Sequence, residues 1–170
     1  MVDIKRKKTL TIEEVSPLLR YEPSTGKFFW LKSTGKAVVG AEAGSIMSKG
    51  YRFISVKSRP YYAHRLSWLF STGEWPSEDL DHINMVRDDN RFENLRLANK
   101  SQNRHNQRIP KNNTSGYKGV TWCKSCKKWQ VSIKVGGKRT YLGFYTDLEQ
   151  AAVVRAEATM RYHGEYGRLS

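Results

Sequence analysis

Cysteine, proline and long apolar runs are all scarce in this chain: 2 cysteines and 5 prolines occur among 170 residues. Two cysteines, Cys123 and Cys126, cannot build the disulfide framework of a small secreted domain. No stretch approaches the roughly 20 apolar residues of a spanning helix, and none has the layout of a signal peptide. The expectation is a soluble, cytoplasmic protein with no membrane partner. Acidic residues are scarce too, with 16 Asp and Glu against 30 Lys and Arg, a net charge of +14 and a pI near 9.9. That excess favours a polyanionic partner, because cations that neutralise phosphates release condensed counterions. With 38% hydrophobic and 12% aromatic residues, the chain can bury one modest core or two small ones. A large enzyme barrel is excluded.

The charge is unevenly placed. Residues 1–77 hold 13 basic and 6 acidic side chains, residues 78–110 hold 6 of each, and residues 111–170 hold 11 and 4. Two basic flanks therefore enclose a neutral middle, where carboxylates can hold a cation while the flanks hold nucleic acid.

Lys5 to Lys8 is a basic run, and Thr11-Ile12-Glu13-Glu14 reads as a capping box opening a short helix that ends near Tyr21. From Lys27 to Ala63 short strands alternate with Gly-containing turns, which predicts a small antiparallel sheet with Arg52, Lys57 and Arg59 on or near its edge. Ala63 to Thr72 has helical spacing at Leu66, Leu69 and Phe70, with Gly73 as its stop. His64 at the start of that helix reads as a packed, hydrogen-bonded residue.

The central segment concentrates the chemistry. Leu80-Asp81-His82-Ile83 reads as a strand, Asn84 to Arg91 as a polar loop, Leu95-Arg96-Leu97 as a second strand and Ser101 to Gln107 as a polar helix capped by Asn99 or Ser101. In such a hairpin-plus-helix, Asp81 and His82 can face Asn103. A carboxylate and an amide oxygen are hard ligands suited to Mg2+ or Mn2+, which keep waters and take phosphate oxygens as well. The adjacent imidazole, with an ordinary pKa near ~6.5, can deprotonate a water at neutral pH. These are the parts of a phosphodiesterase.

Asp81-His82-Ile83-Asn84, Asp88-Asp89-Asn90-Arg91-Phe92-Glu93-Asn94-Leu95-Arg96 and Ser101-Gln102-Asn103 together resemble the HNH (ββα-metal) endonuclease motif in its phage homing-endonuclease form. Ala63-His64-Arg65-Leu66-Ser67-Trp68 and Gly73-Glu74-Trp75-Pro76 resemble the stretch those enzymes carry upstream. The resemblance implies Asp81 and Asn103 as ligands of one Mg2+ or Mn2+ ion, with zinc disfavoured by the amide. It implies His82 as general base and Asn94 as the residue that pins the loop and orients His82. His105 is the alternative for the position of Asn103. Arg65, Arg87, Arg91 and Arg104 are candidates for the scissile phosphate, and Arg52 for the DNA backbone.

After a linker at 108–115, strand-like runs at Lys118 to Cys123, Trp129 to Val135 and Arg139 to Phe144 precede a helix that Thr146-Asp147-Leu148-Glu149 opens and Gly164 stops. Alternation turns Val120, Trp122, Val131, Ile133 and Leu142 toward the helix. Thr121, Gln130, Ser132, Lys134, Arg139 and Tyr141 then face outward, with Lys118 beside them, as a surface able to enter a DNA major groove. Gly116-Tyr117-Lys118-Gly119-Val120, Tyr141-Leu142-Gly143-Phe144-Tyr145 and Glu149-Gln150-Ala151-Ala152 resemble the plant ethylene-response-factor (apetala-two-like) DNA-binding domain. The departures at Lys118, Thr121, Cys123, Lys134, Arg139 and Tyr141 leave its target sequence open. Cys123-Lys124-Ser125-Cys126 is half a zinc site at most and reads as an incidental hairpin pair.

The expectation is an α+β chain: a basic tail and short helix at 1–20, a nuclease domain at 21–107 consisting of a small antiparallel β region and a ββα-metal core, and a three-stranded antiparallel sheet packed on one helix at 116–170. Its expected function is site-specific cleavage of double-stranded DNA, nicking as a monomer in preference to a homodimer. The alternatives are a DNA-binding regulator with a silent nuclease core and an RNA-directed or toxin-like nuclease.

Overall fold

The computed structural model describes residues 10–33, 35, 37–106, 109 and 112–167, without the side chains of Arg104 and His105. The basic run Lys5 to Lys8 and residues 108, 110 and 111 of the linker lie outside the described residues. The fold is α+β, with several small antiparallel sheets and few helices. Two compact units form, Met1–Leu97 and Ala98–Ser170. This division groups residues 98–107 with the tail, whereas the sequence reading drew its boundary after residue 107.

In the first unit, α1 (Ile12–Val15) has the expected capping box, with the Thr11 amide donating to Glu14. The helix is shorter than its sequence suggests. Pro17 has no N–H to continue the ladder, and the chain enters β1 (Leu19–Glu22), paired antiparallel with β2 (Lys27–Trp30). A separate sheet has the order β3-β4-β5 (Ser45–Ile46, Arg52–Val56, Arg59–Tyr62). The single sheet expected over 27–63 is therefore two. Leu19, Phe28, Ile54 and Val56 from these sheets bury against Ala63, Leu66 and Leu69 of α2 (Ala63–Thr72). Gly73 ends α2 in the left-handed conformation, its N–H donating to Leu69.

β6 (Asp79–His82) and β7 (Leu95–Ala98) pair as a two-stranded sheet, and the Ile83 amide donates to the Asn94 carbonyl at 2.9 Å where the strands open into the loop. The loop is fastened to the first sheet from two sides. The Tyr21 hydroxyl donates to the Asn90 carbonyl and accepts from the Phe92 amide. Gly26, at φ +72°, lets the turn after β1 lie directly on the loop, because a Cβ there would sit 2.4 Å from the Arg91 nitrogen.

The second unit holds α3 (Lys100–His105), capped by Asn99, whose Oδ1 accepts from the amides of Ser101 and Gln102. β8 (Val120–Cys123), β9 (Lys128–Val135) and β10 (Lys138–Tyr145) form an antiparallel sheet with β9 in the centre. α4 (Leu148–His163) covers one face, burying Ala151 against Val120 and Val131. Its N-cap is Asp147, which accepts from the Gln150 amide. Among the described residues no helix is long and apolar enough to cross a membrane.

Candidate active site

The loop between β6 and β7 is closed by side-chain amides. Asn94 is buried; its Oδ1 accepts from the Asn84 amide, and its Nδ2 donates to Asn84 Oδ1 and to the Asp89 carbonyl. One residue just before β7 thus ties the start of the loop that leaves β6 to its middle, at Asn84 and Asp89. Asn84 in turn donates to Asp89 and accepts from the Val86 amide. Asn90, also buried, donates to the Asp88 carbonyl. These internal bonds tie the loop together at the end of β6, with the buried Asn90 Oδ1 left without a hydrogen-bond partner among the described residues.

His82 sits at that end and is only 5% exposed. Burial holds its pKa below the ordinary 6.5; the Asn90 amide and the carboxylates of Asp81 and Asp89 pull it upward, and Arg87 adds to the depression. The imidazole is neutral at pH 7, the form that can accept a proton. Asp81, next to it, lies in the hairpin opposite Arg96, whose Nε and Nη2 both reach Asp81 Oδ2 at 3.0 and 2.9 Å. Asn103 falls in the second unit, on α3. Among the described residues no group of three or more His, Cys, Asp or Glu could hold a metal ion.

A residue read from the sequence as packing belongs beside His82. His64, on the first turn of α2, is 8% exposed, and its ring meets that of His82 edge-on at 5.1 Å between centroids. Tyr51 lies 5.6 Å from His64 and 5.9 Å from His82, and Tyr62 stacks on His64 at 5.1 Å. Burial, then the neighbouring His82 and Arg65, push His64 down to about 3. Its Nδ1 has no hydrogen-bond partner among the described residues. Helical periodicity could not reveal this pairing, because it depends on how α2 and β4 fold over β6.

The arginines sort by their partners. Arg52 makes two hydrogen bonds to Asp88 and an ion pair with Glu42. Arg91 forks onto Asp89 at 2.7 and 2.8 Å and also reaches Glu93, and this contact holds Asp89 down to about 2. Arg65 lies over the Trp75 ring and donates to the Pro76 carbonyl. Arg87 instead donates to the Lys49 carbonyl and stands 5.0 Å over the Tyr51 ring. Of the four, Arg87 is the one set against the aromatic group that surrounds the two histidines. The Arg104 side chain lies outside the described residues.

Within 61–105, the chain matches the model of the HNH endonuclease family. It is also 33% identical over 107 residues to Protein 3.8 of Escherichia phage T7, covering 62% of this chain and 88% of that protein. Residues 61–105 carry an HNH endonuclease domain. No solved structure matches it significantly. The HNH match takes in α2, the β6–β7 hairpin and α3, and so contains His64, Asp81, His82, Asn94 and Asn103. An HNH endonuclease domain supports nuclease activity and implies DNA as the substrate.

Outside the HNH match, the register of the tail sheet aligns Thr121 with Gln130, Ser132 with Tyr141 and Lys134 with Arg139. Directly paired residues share a face, so these six lie together opposite the buried Val131 and Ile133. Tyr141 and Phe144 are exposed. Trp122, expected against the helix, is exposed and packs edge-on against Trp129 at 4.9 Å. In the β8–β9 turn the sulfurs of Cys123 and Cys126 lie 2.6 Å apart as thiols, and Cys126 is the main group lowering Cys123 to about 7.

Proposed function

We propose that the protein is a site-specific DNA endonuclease of the homing type that hydrolyses one phosphodiester per catalytic event and nicks as a monomer. The observation that carries this reading is His82: a buried, neutral imidazole at a strand end, next to a carboxylate, on a loop that Asn94 ties together at Asn84 and Asp89. Neutral His82 takes a proton from a water, the water oxygen attacks phosphorus, the P–O3′ bond breaks, and the leaving 3′-oxygen takes a proton from solvent water. The products are a 5′-phosphate and a 3′-hydroxyl. Arg87 is the preferred donor to the non-bridging phosphate oxygens, because Arg52 and Arg91 are held by carboxylates.

The donor chemistry fits a hard cation. Asp81 and Asn103 would hold Mg2+ or Mn2+ in a ββα-metal arrangement, with DNA oxygens and waters completing the ligand set. When bound, the ion supplies stabilisation for the charge that develops on the phosphate and on the leaving oxygen. Asp81 already meets Arg96, so the cation must share or displace that guanidinium. The same ion pair favours the second reading, a DNA-binding protein with a silent nuclease core. Outward residues of the tail sheet, from Thr121 and Gln130 to Arg139 and Tyr141, supply affinity and register in an ethylene-response-factor-like mode.

Relaxation of supercoiled plasmid separates the two readings. Nicked circles should accumulate with Mg2+ or Mn2+ and not with a chelator. DNA binding without nicking under either metal would select the silent core.

A further inference from the structure

The second unit contains a cavity of about 620 Å³ that shares Lys118, Ser132, Lys134 and Arg139 with the sheet-face reading and adds Arg155 and His163 to them. It opens where β8 stops short. β9 pairs with β8 up to Val131, the Ser132 amide donates to the Gly119 carbonyl, and beyond that the edge of β9 is not covered by β8. Lys100, Lys118, Lys134, Arg139, Arg155 and His163 line the space, and none of its described lining residues is acidic. A volume of this size falls in the range of small-molecule sites.

Arg155 is the informative member. It comes from the face of α4 turned toward the sheet and is 5% exposed. Its Nη1 donates to the Thr159 hydroxyl, and that hydroxyl donates back to the Arg155 carbonyl. Its Nε has no hydrogen-bond partner among the described residues. A hydroxyl does not neutralise a guanidinium, and a buried charge without a counter-charge is costly. Room for this group is kept by Gly119, at φ +77°, where a Cβ would stand 2.6 Å from Arg155 Nε. The His163 Nε2 meets the Lys134 carbonyl at 2.8 Å. Burial first holds its pKa below the usual value, the Lys134 carbonyl pulls it upward, and the charges of Arg155 and Lys118 add to the lowering.

We propose that this cavity is a phosphoryl-binding site, in which Arg155 Nε and the lysines at the rim receive a phosphate group. The ligand class is a phosphate ester or free phosphate, from either a nucleic-acid backbone or a small phosphorylated molecule. The inference does not rest on cleavage by the first unit and stands whether or not His82 is a base.

The test is NMR of the full chain, following the Arg155 Nε–Hε resonance during titration with inorganic phosphate in the absence of divalent metal. Phosphate should shift that resonance in a saturable way, and Lys100→Gln with Lys134→Gln should weaken binding several-fold. These lysines are exposed, so the double variant should fold even if replacement of Arg155 does not. A duplex oligonucleotide is then added to the phosphate-loaded protein. Displacement of phosphate assigns the site to DNA backbone, and retention with DNA bound elsewhere assigns it to a small phosphorylated ligand. No saturable shift of the Arg155 resonance, or a shift unchanged in the double variant, overturns the proposal.

Discussion

The two units use cations in opposite ways. In the first, arginines are matched: Arg52 with Asp88 and Glu42, Arg91 with Asp89 and Glu93, Arg96 with Asp81. These pairs fix the frame of the β6–β7 loop, which leaves Arg87 as the cation best placed for substrate. In the second, Lys134 and Arg139 share an outer sheet face, and Arg155 is buried beside a cavity whose described lining has no carboxylate. The same residue types are ion-paired in one unit and line a cavity without a described carboxylate in the other. Net charge alone could not have told these uses apart.

The largest effect expected from breaking the comparison is at Gly26. Gly26→Ala puts a Cβ against the backbone of Asn90 and Arg91 at a positive φ, and should cost at least ~2 kcal/mol in urea unfolding. It should also reduce nicking, since the loop that positions His82 must shift. Next is the contrast between two arginines. Arg87→Ala should lower kcat for nicking by roughly 100-fold with little loss of stability, whereas Arg91→Ala should mainly lower stability by freeing Asp89. Equal kinetic effects would remove Arg87 from its assigned role.

Acid should weaken the first unit most steeply through its buried histidine, His64. The folded-state pKa of His64 is about 3, below its unfolded 6.5. Between these values the unfolded chain binds the extra proton, so stability falls as pH drops from 6.5 toward 3, by at most about 1.4 kcal/mol per pH unit. Asp89, held to about 2 by Arg91, adds a loss of the same sign between 3.8 and 2. Urea melts across that range should show the slope, and His64→Leu should flatten its upper part. An unchanged slope would mean His64 is not the group concerned. The smallest effect is on the tail sheet: Arg139→Gln should weaken duplex binding a few-fold and reduce the salt slope by about one, with metal-dependent nicking retained.

Much of this was legible in the sequence because it is local. The α2 helix and its Gly73 stop, the strand–loop–strand around Asp81 and Asn94, the Asn99 cap and the α4 boundaries all follow from spacing and capping. What escaped depended on pairing between distant segments. The first sheet divides in two because β2 pairs back onto β1. α1 ends early because Pro17 interrupts its ladder. His64 lies against His82 only once α2 and Tyr51 are packed around β6. Arg52 and Arg91 look like phosphate binders in a sequence, and only the fold shows that carboxylates already hold them.

The most direct test of the account is His82→Ala in the supercoiled-plasmid assay with Mn2+ and Mg2+, alongside a gel-shift measurement in a chelator. The account predicts at least a ~100-fold loss of nicking with duplex affinity unchanged. Nicking by the variant at the rate of the original protein would contradict it.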